Sequence, residues 1–143
     1  MLPFIGSKNK KLVKRWKKDH EQLVVLGKKV LAEYVKNDEK KIRSALQAFT
    51  DLAMEHLTSE DIELYKLMND PMKRDRKLEE SIEHFQSSFK NIKATLMKFL
   101  ATYNREEQPI DQDFFDNFAQ IVEILTERIK YEESELYFYL SMK

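Results

Sequence analysis

Four stretches of this chain repeat apolar residues at intervals of three and four, and that rhythm restricts the fold more than any other feature. Leu12, Trp16, His20, Leu23, Gly27, Val30 and Tyr34 make the first series. Ile42, Leu46, Phe49, Ala53, His56, Glu60, Leu64 and Leu67 make the second, and Leu78, Ile82, Phe85, Phe89, Ile92, Leu96, Phe99 and Tyr103 the third. Phe114, Phe118, Ile121, Leu125, Arg128, Glu132, Leu136 and Tyr139 complete the set. Each series lines one face of an α-helix, and such a face must be buried against another element. No stretch alternates with period two for long enough to suggest a strand. Pro3 and Gly6 precede the first helix, Asn37 and Asp38 break it, Asn69-Asp70-Pro71 ends the second, and 106–113, with Pro109, ends the third. The helices are therefore expected near 8–36, 39–68, 73–104 and 111–141. Joined by short connections, they imply an all-α, antiparallel up-down four-helix bundle, a single domain over residues 1–143. Gly27, inside the first helix at a cost of about 1 kcal/mol relative to Ala, points to a close helix–helix contact.

Composition removes several chemistries. There is no Cys, hence no disulfide, thiolate zinc site, iron–sulfur cluster or Cys nucleophile. The two glycines cannot form a phosphate-cradling loop. No apolar run approaches the roughly 18 residues of a membrane span. The first eight residues are too short and weakly apolar for a signal peptide, so the chain reads as cytoplasmic. Twenty-five basic and 25 acidic residues cancel, against direct nucleic-acid binding. No nucleophile elbow, HExxH or cofactor fingerprint is present, so an enzyme is not expected. Metal or proton chemistry is left to carboxylates and three histidines.

Five polar residues interrupt the stripes: His20, His56, Glu60, Arg128 and Glu132. A core carboxylate costs several kcal/mol unless it is paired, hydrogen-bonded or coordinated. His56 and Glu60 stand one turn apart and project together, a common construction for a metal site inside a bundle. The alternative for His20 is a core imidazole bonded to a facing Glu, and for His56 with Glu60 it is half of a buried polar network with Arg128. His84 falls one position off its stripe, near Ser81 and Ser88, as a histidine at the helix edge would. Residues 56–68 (HLTSEDIELYKLM) align without gaps on 128–140 (RIKYEESELYFYL), pairing Glu60 with Glu132, Glu63 with Glu135, Leu64 with Leu136 and Tyr65 with Tyr137. A duplicated hairpin would set Glu60 and Glu132 face to face near the bundle axis.

Asp19-His20 with Leu23, then His56 through Tyr65, then Glu83-His84, and finally Ile129, Glu132, Glu133, Leu136 and Tyr137 together resemble the hemerythrin-like, HHE cation-binding domains, over about 20–140. The resemblance implies an iron site whose ligands include His20, His56, His84 and bridging carboxylates Glu60 and Glu132 (or Glu133). It also implies an incomplete one. Ser88 and Arg128 stand where that family places histidines, and a guanidinium repels a metal while pairing with Glu60 or Glu132. One ion or none is expected, in a sensor or regulatory protein, rather than a full diiron pair.

Lys11 through Trp16, with Leu23 and Val25, is also similar to the start of the regulator of sigma D family. Ala45, Leu46, Phe49, Leu57 and Tyr65 suit its pattern, as do Ile121, Glu123, Leu125, Arg128 and Glu132. That resemblance implies a protein partner, the primary sigma factor of bacterial RNA polymerase, met through the basic first helix. Lys8, Lys10, Lys11, Lys14, Arg15, Lys17 and Lys18 precede any acid in that helix, while residues 106–135 are rich in acids. The plain expectation is two solvated helix faces, free to pair across the fold.

Overall fold

The computed structural model describes residues 3–70, 75–89 and 91–141. They form α1 (Pro3–Val35), α2 (Glu39–Met68), α3 (Arg76–Phe89), α4 (Ile92–Tyr103), α5 (Gln112–Tyr131), a π-helical turn (Glu132–Leu136) and α6 (Tyr137–Ser141). No strand occurs among the described residues. α3 with α4 makes one arm, and α5 through α6 another, so the chain is the expected all-α four-helix bundle. α1 packs on α2 and, on its other flank, on α5 and α6; α4 bridges α2 and α5.

Three boundaries differ from the periodicity. α1 begins at Pro3, a residue tolerated in a first helical turn because it lacks only an N–H that would have no partner there. The third arm is two helices, with a turn at Asn91. The stripe runs through that break without losing phase, from Phe85 to Ile92 and Leu96, so spacing could not announce it. Its expected start at 73 lies outside the described residues. The fourth arm carries the π-helical turn, which the alignment of 56–68 on 128–140 could not show.

Local chemistry sets the ends. Asn37 takes a left-handed conformation (φ 60°) after α1, which Asn tolerates better than most residues. Asp38 and Asp111 cap α2 and α5 by accepting hydrogen bonds from the backbone N–H groups of Lys41 and Phe114, each at 3.2 Å. Arg43 donates to the backbone carbonyls of Tyr103, Arg105, Glu106 and Gln108, clamping the α4–α5 connection to α2.

The interior is two apolar clusters with a polar layer between them. Leu23, Val30, Phe49, Leu57, Leu96, Phe99, Phe118 and Leu125 belong to one. Val13, Trp16, Leu64, Leu78, Ile82, Phe85, Leu136 and Tyr137 belong to the other. His20 separates them on α1, His56 and Glu60 on α2, and Arg128 and Glu132 on the fourth arm. No helix among the described residues is long and apolar enough to cross a membrane.

Gly27 is buried against Phe49 and Val122, but less tightly than its rarity in helices suggests. A Cβ added there would stand 3.5 Å from Phe49 and 3.7 Å from Val122, ordinary van der Waals contact. Gly27→Ala is thus expected to stabilise the fold by about 0.5–1 kcal/mol through helix propensity, read as an upward shift of the denaturation midpoint. A lowered midpoint would show that α1, α2 and α5 need the closer approach.

Candidate metal centre

α1, α2 and the π-helical turn bring four of the expected ligands together. One donor atom from each of His20, His56, Glu60 and Glu132 lies within 4.8 Å of the others, and all four residues are buried. His56 Nε2 is 2.8 Å from Glu60 Oε1, the one-turn pair anticipated on α2. His20 Nε2 lies 3.0 Å from His56 Nε2 and 3.1 Å from Glu132 Oε1.

The outer nitrogens are equally well defined. His20 Nδ1 meets Glu133 Oε2 at 2.7 Å, and His56 Nδ1 meets Asp19 Oδ2 at 3.0 Å. A carboxylate only accepts, so each Nδ1 carries a proton, and with both rings neutral each Nε2 turns its lone pair inward. Carboxylate, imidazole and inward lone pair is the arrangement by which an outer acid orients a metal-ligating histidine. Glu133 therefore serves His20 from outside and leaves the inner position to Glu132. Adjacent residues of a regular α-helix project about 100° apart. Here the Tyr137 N–H bonds back to the Glu132 carbonyl, and within this wider turn both carboxylates reach one imidazole. π-Turns inside α-helices are frequent at functional sites for this kind of reason.

Arg128 and Tyr137 complete the layer. The guanidinium is 5% exposed, lies over the Phe85 ring at 4.4 Å, and stands 3.6 Å from both Glu60 Oε1 and Glu132 Oε2. It thus pairs with both acids. The Tyr137 hydroxyl donates to Glu60 Oε2 at 2.9 Å and lies 3.2 Å from His20 Nε2. Trp16 packs on Tyr137, presents its edge toward His56, and donates through Nε1 to Ser59 Oγ at 3.2 Å.

These contacts shift protons in opposite directions. Burial lowers the pKa of His20, only partly offset by Glu133. Burial also disfavours charge on His56, but Glu60 and then Asp19 outweigh it and raise that pKa. Glu60 is driven upward by burial, yet hydrogen bonds with Glu132 and His56, and the charges of His56 and Arg128, hold it at about 2. Glu132 is raised well above the usual carboxylate range by burial and by the Glu60 charge, against the pull of Arg128. The two acids titrate as a pair, in which Glu132 holds its proton to higher pH than Glu60.

The donor set fits a metal. With both rings neutral the two Nε2 lone pairs would face each other at 3.0 Å and repel, a conflict that a second proton on His56 or a cation between the rings removes. Glu132 Oε2 is buried without a hydrogen-bond donor, Arg128 Nε standing 3.6 Å away, an arrangement costly in a dry interior. Two nitrogens and two carboxylates suit a first-row divalent ion.

A family model of the hemerythrin HHE cation-binding domain matches residues 11–140. The chain belongs to the hemerythrin HHE cation-binding family. Comparison with curated proteins and with solved structures returns no match.

Within this hemerythrin-like bundle, His84 stands apart from the other expected ligands. It is exposed on α3, its ring packed against Tyr131 at 5.2 Å, and it does not join the buried group. The reason is phase: Ile82 and Phe85 occupy the buried face of α3, which turns His84 outward. Ser88 is exposed as well. At the polar layer the third arm thus contributes Phe85 beneath Arg128 rather than a ligand. Sequence reasoning placed Asp19 only within a motif, and Tyr137 only within a motif and the internal repeat. Asp19 sits one residue before His20, and no spacing rule links it to His56 on another helix.

Asp19→Asn and Glu133→Gln should each weaken divalent-metal affinity about 10–100-fold, measured by competition with a chromophoric chelator, with helical content unchanged. Unchanged affinity in both variants would remove the outer carboxylates from the site's design.

Proposed function

We propose that this protein is a hemerythrin-like metal-binding sensor or regulatory protein whose reduced site holds one iron ion. The observation that carries the reading is the convergence of His20 Nε2 and His56 Nε2 with the carboxylates of Glu60 and Glu132, with Arg128 as a fixed cation beside them. His20, His56, Glu60 and Glu132 would hold the ion, and Tyr137 would steady Glu60 through its hydroxyl. A guanidinium already close to both carboxylates leaves charge for one divalent ion and opposes a second. Iron supplies reversible one-electron chemistry when bound, the property a sensor of oxygen or redox state requires. The buried ligands, with Asp19 and Glu133 as the partly exposed rim, suit a sensor or regulator better than an enzyme, which needs room for a substrate beside them.

Anaerobic titration with Fe(II) tests this, followed through the fluorescence of Trp16, the chain's one tryptophan, which borders His56 and Tyr137. A break at one equivalent is expected, with hydrogen exchange slowing at residues 132–137 on loading. Absence of any iron-dependent change in a fully folded chain would sink the proposal. Loading that leaves residues 132–137 unaltered would contradict the sensor role, because no signal would leave the site.

A further inference from the structure

Among the described residues the basic and acidic faces do not pair across the fold, the Lys8 side chain lying outside those described. Lys10, Lys11, Lys14, Arg15, Lys17 and Lys18 are all exposed, and none enters an ion pair among the described residues. At 3.6 residues per turn they cover an arc of about 160° on α1, opposite the buried Val13, Trp16 and His20. Lys28 and Lys29 extend the stripe to a length of about 29 Å, with Val25, 64% exposed, on the same meridian. α5 carries the complement. Asp113, Asp116, Glu123 and Glu127 are exposed, lie within an arc of about 80° over about 21 Å, and likewise enter no ion pair among the described residues. Ile124, 40% exposed, borders this arc.

We infer that the cationic face of α1 docks on the acidic face of α5 of a second copy of this chain. Both complementary surfaces are carried by one sequence, which pure one-sided charge does not provide for any other occupant. The formal net charge is +0, so no overall repulsion holds two copies apart. Over residues 10–29 the α1 face offers no exposed aromatic ring on which a base could stack, since Trp16 is buried. Surface ion pairs are individually weak and salt-screened, so the contact is reversible and governed by ionic strength. Two different faces meet, which makes the contact heterologous and able to grow beyond a dimer. This inference is independent of the metal site.

Sedimentation velocity on the full chain tests it. At about 0.01 M salt, where charges act over about 30 Å, the mass should rise with concentration above the 17.2 kDa monomer. At about 1 M salt, with a screening length of about 3 Å, it should return to the monomer. Lys11→Glu with Lys14→Glu, and separately Asp116→Lys with Glu123→Lys, should each abolish self-association, circular dichroism confirming the fold. Mixing these two reversed chains should restore it, because each then carries what the other lacks. A wild-type chain monomeric at low salt overturns the inference, and binding of polyglutamate by that monomer would assign α1 to an acidic partner protein instead. Association that survives either charge reversal overturns it too.

Discussion

Replacing Arg128 by methionine is expected to destabilise the protein, in the absence of added metal, by about 3–5 kcal/mol. Among the described residues the guanidinium is the one fixed positive charge in contact with Glu60 and Glu132, which are 0% and 1% exposed. Removing it leaves an uncompensated charge in a dry layer, whereas the lost packing on Phe85 is largely replaced by the methionine side chain. For a chain of this size that corresponds to a fall of roughly 10–17 °C in Tm. The metal account adds a second expectation that packing alone does not. A saturating divalent ion should raise the Tm of the variant by more than it raises the Tm of the parent, because the unbalanced carboxylates then gain their cation from solution. Arg128→Lys retains the charge on a shorter stem without the planar fork, and should fall between the two. A variant as stable as the parent would mean that Glu60 and Glu132 are neutralised by protons alone.

His56→Ala is expected to abolish metal binding, with affinity reduced at least 100-fold, while the bundle stays folded. His56 supplies one of the two inward nitrogens, and its Nε2 is also the nearest basic atom to Glu60 Oε1. Loss of the ring removes a ligand and unbalances the acid beside it. His84→Ala serves as the paired control. His84 is exposed and its ring contact is with Tyr131, so its removal should leave affinity and stoichiometry unchanged. If His84→Ala matched His56→Ala in its effect, the ligand set drawn from the geometry would be wrong.

The stripes made the bundle legible because a buried helix face must repeat every three or four residues, and nothing else in the chain competes with that rhythm. The same reasoning exposed the polar layer, since His20, His56, Glu60, Arg128 and Glu132 stand where apolar residues belong. It separated His84 from them for the same physical reason, a phase error of one residue. What spacing could not show depends on departures from a regular helix or on contacts between helices. The turn at Asn91 preserves the stripe across it. The π-turn at Glu132–Leu136 moves Glu132, Glu133 and Tyr137 together around His20, and only the resulting geometry assigns one glutamate inside and the other outside. Asp19 reaches His56 across the α1–α2 contact, a pairing without a signature along either helix.

The most direct test of the account is the number of ions bound by the intact chain. After anaerobic reconstitution with excess Fe(II) and desalting, elemental analysis should find one iron per chain, coordinated by nitrogen and oxygen alone in X-ray absorption. A folded, helical chain that retains no iron would contradict the metal centre, and two irons per chain would contradict the role given to Arg128.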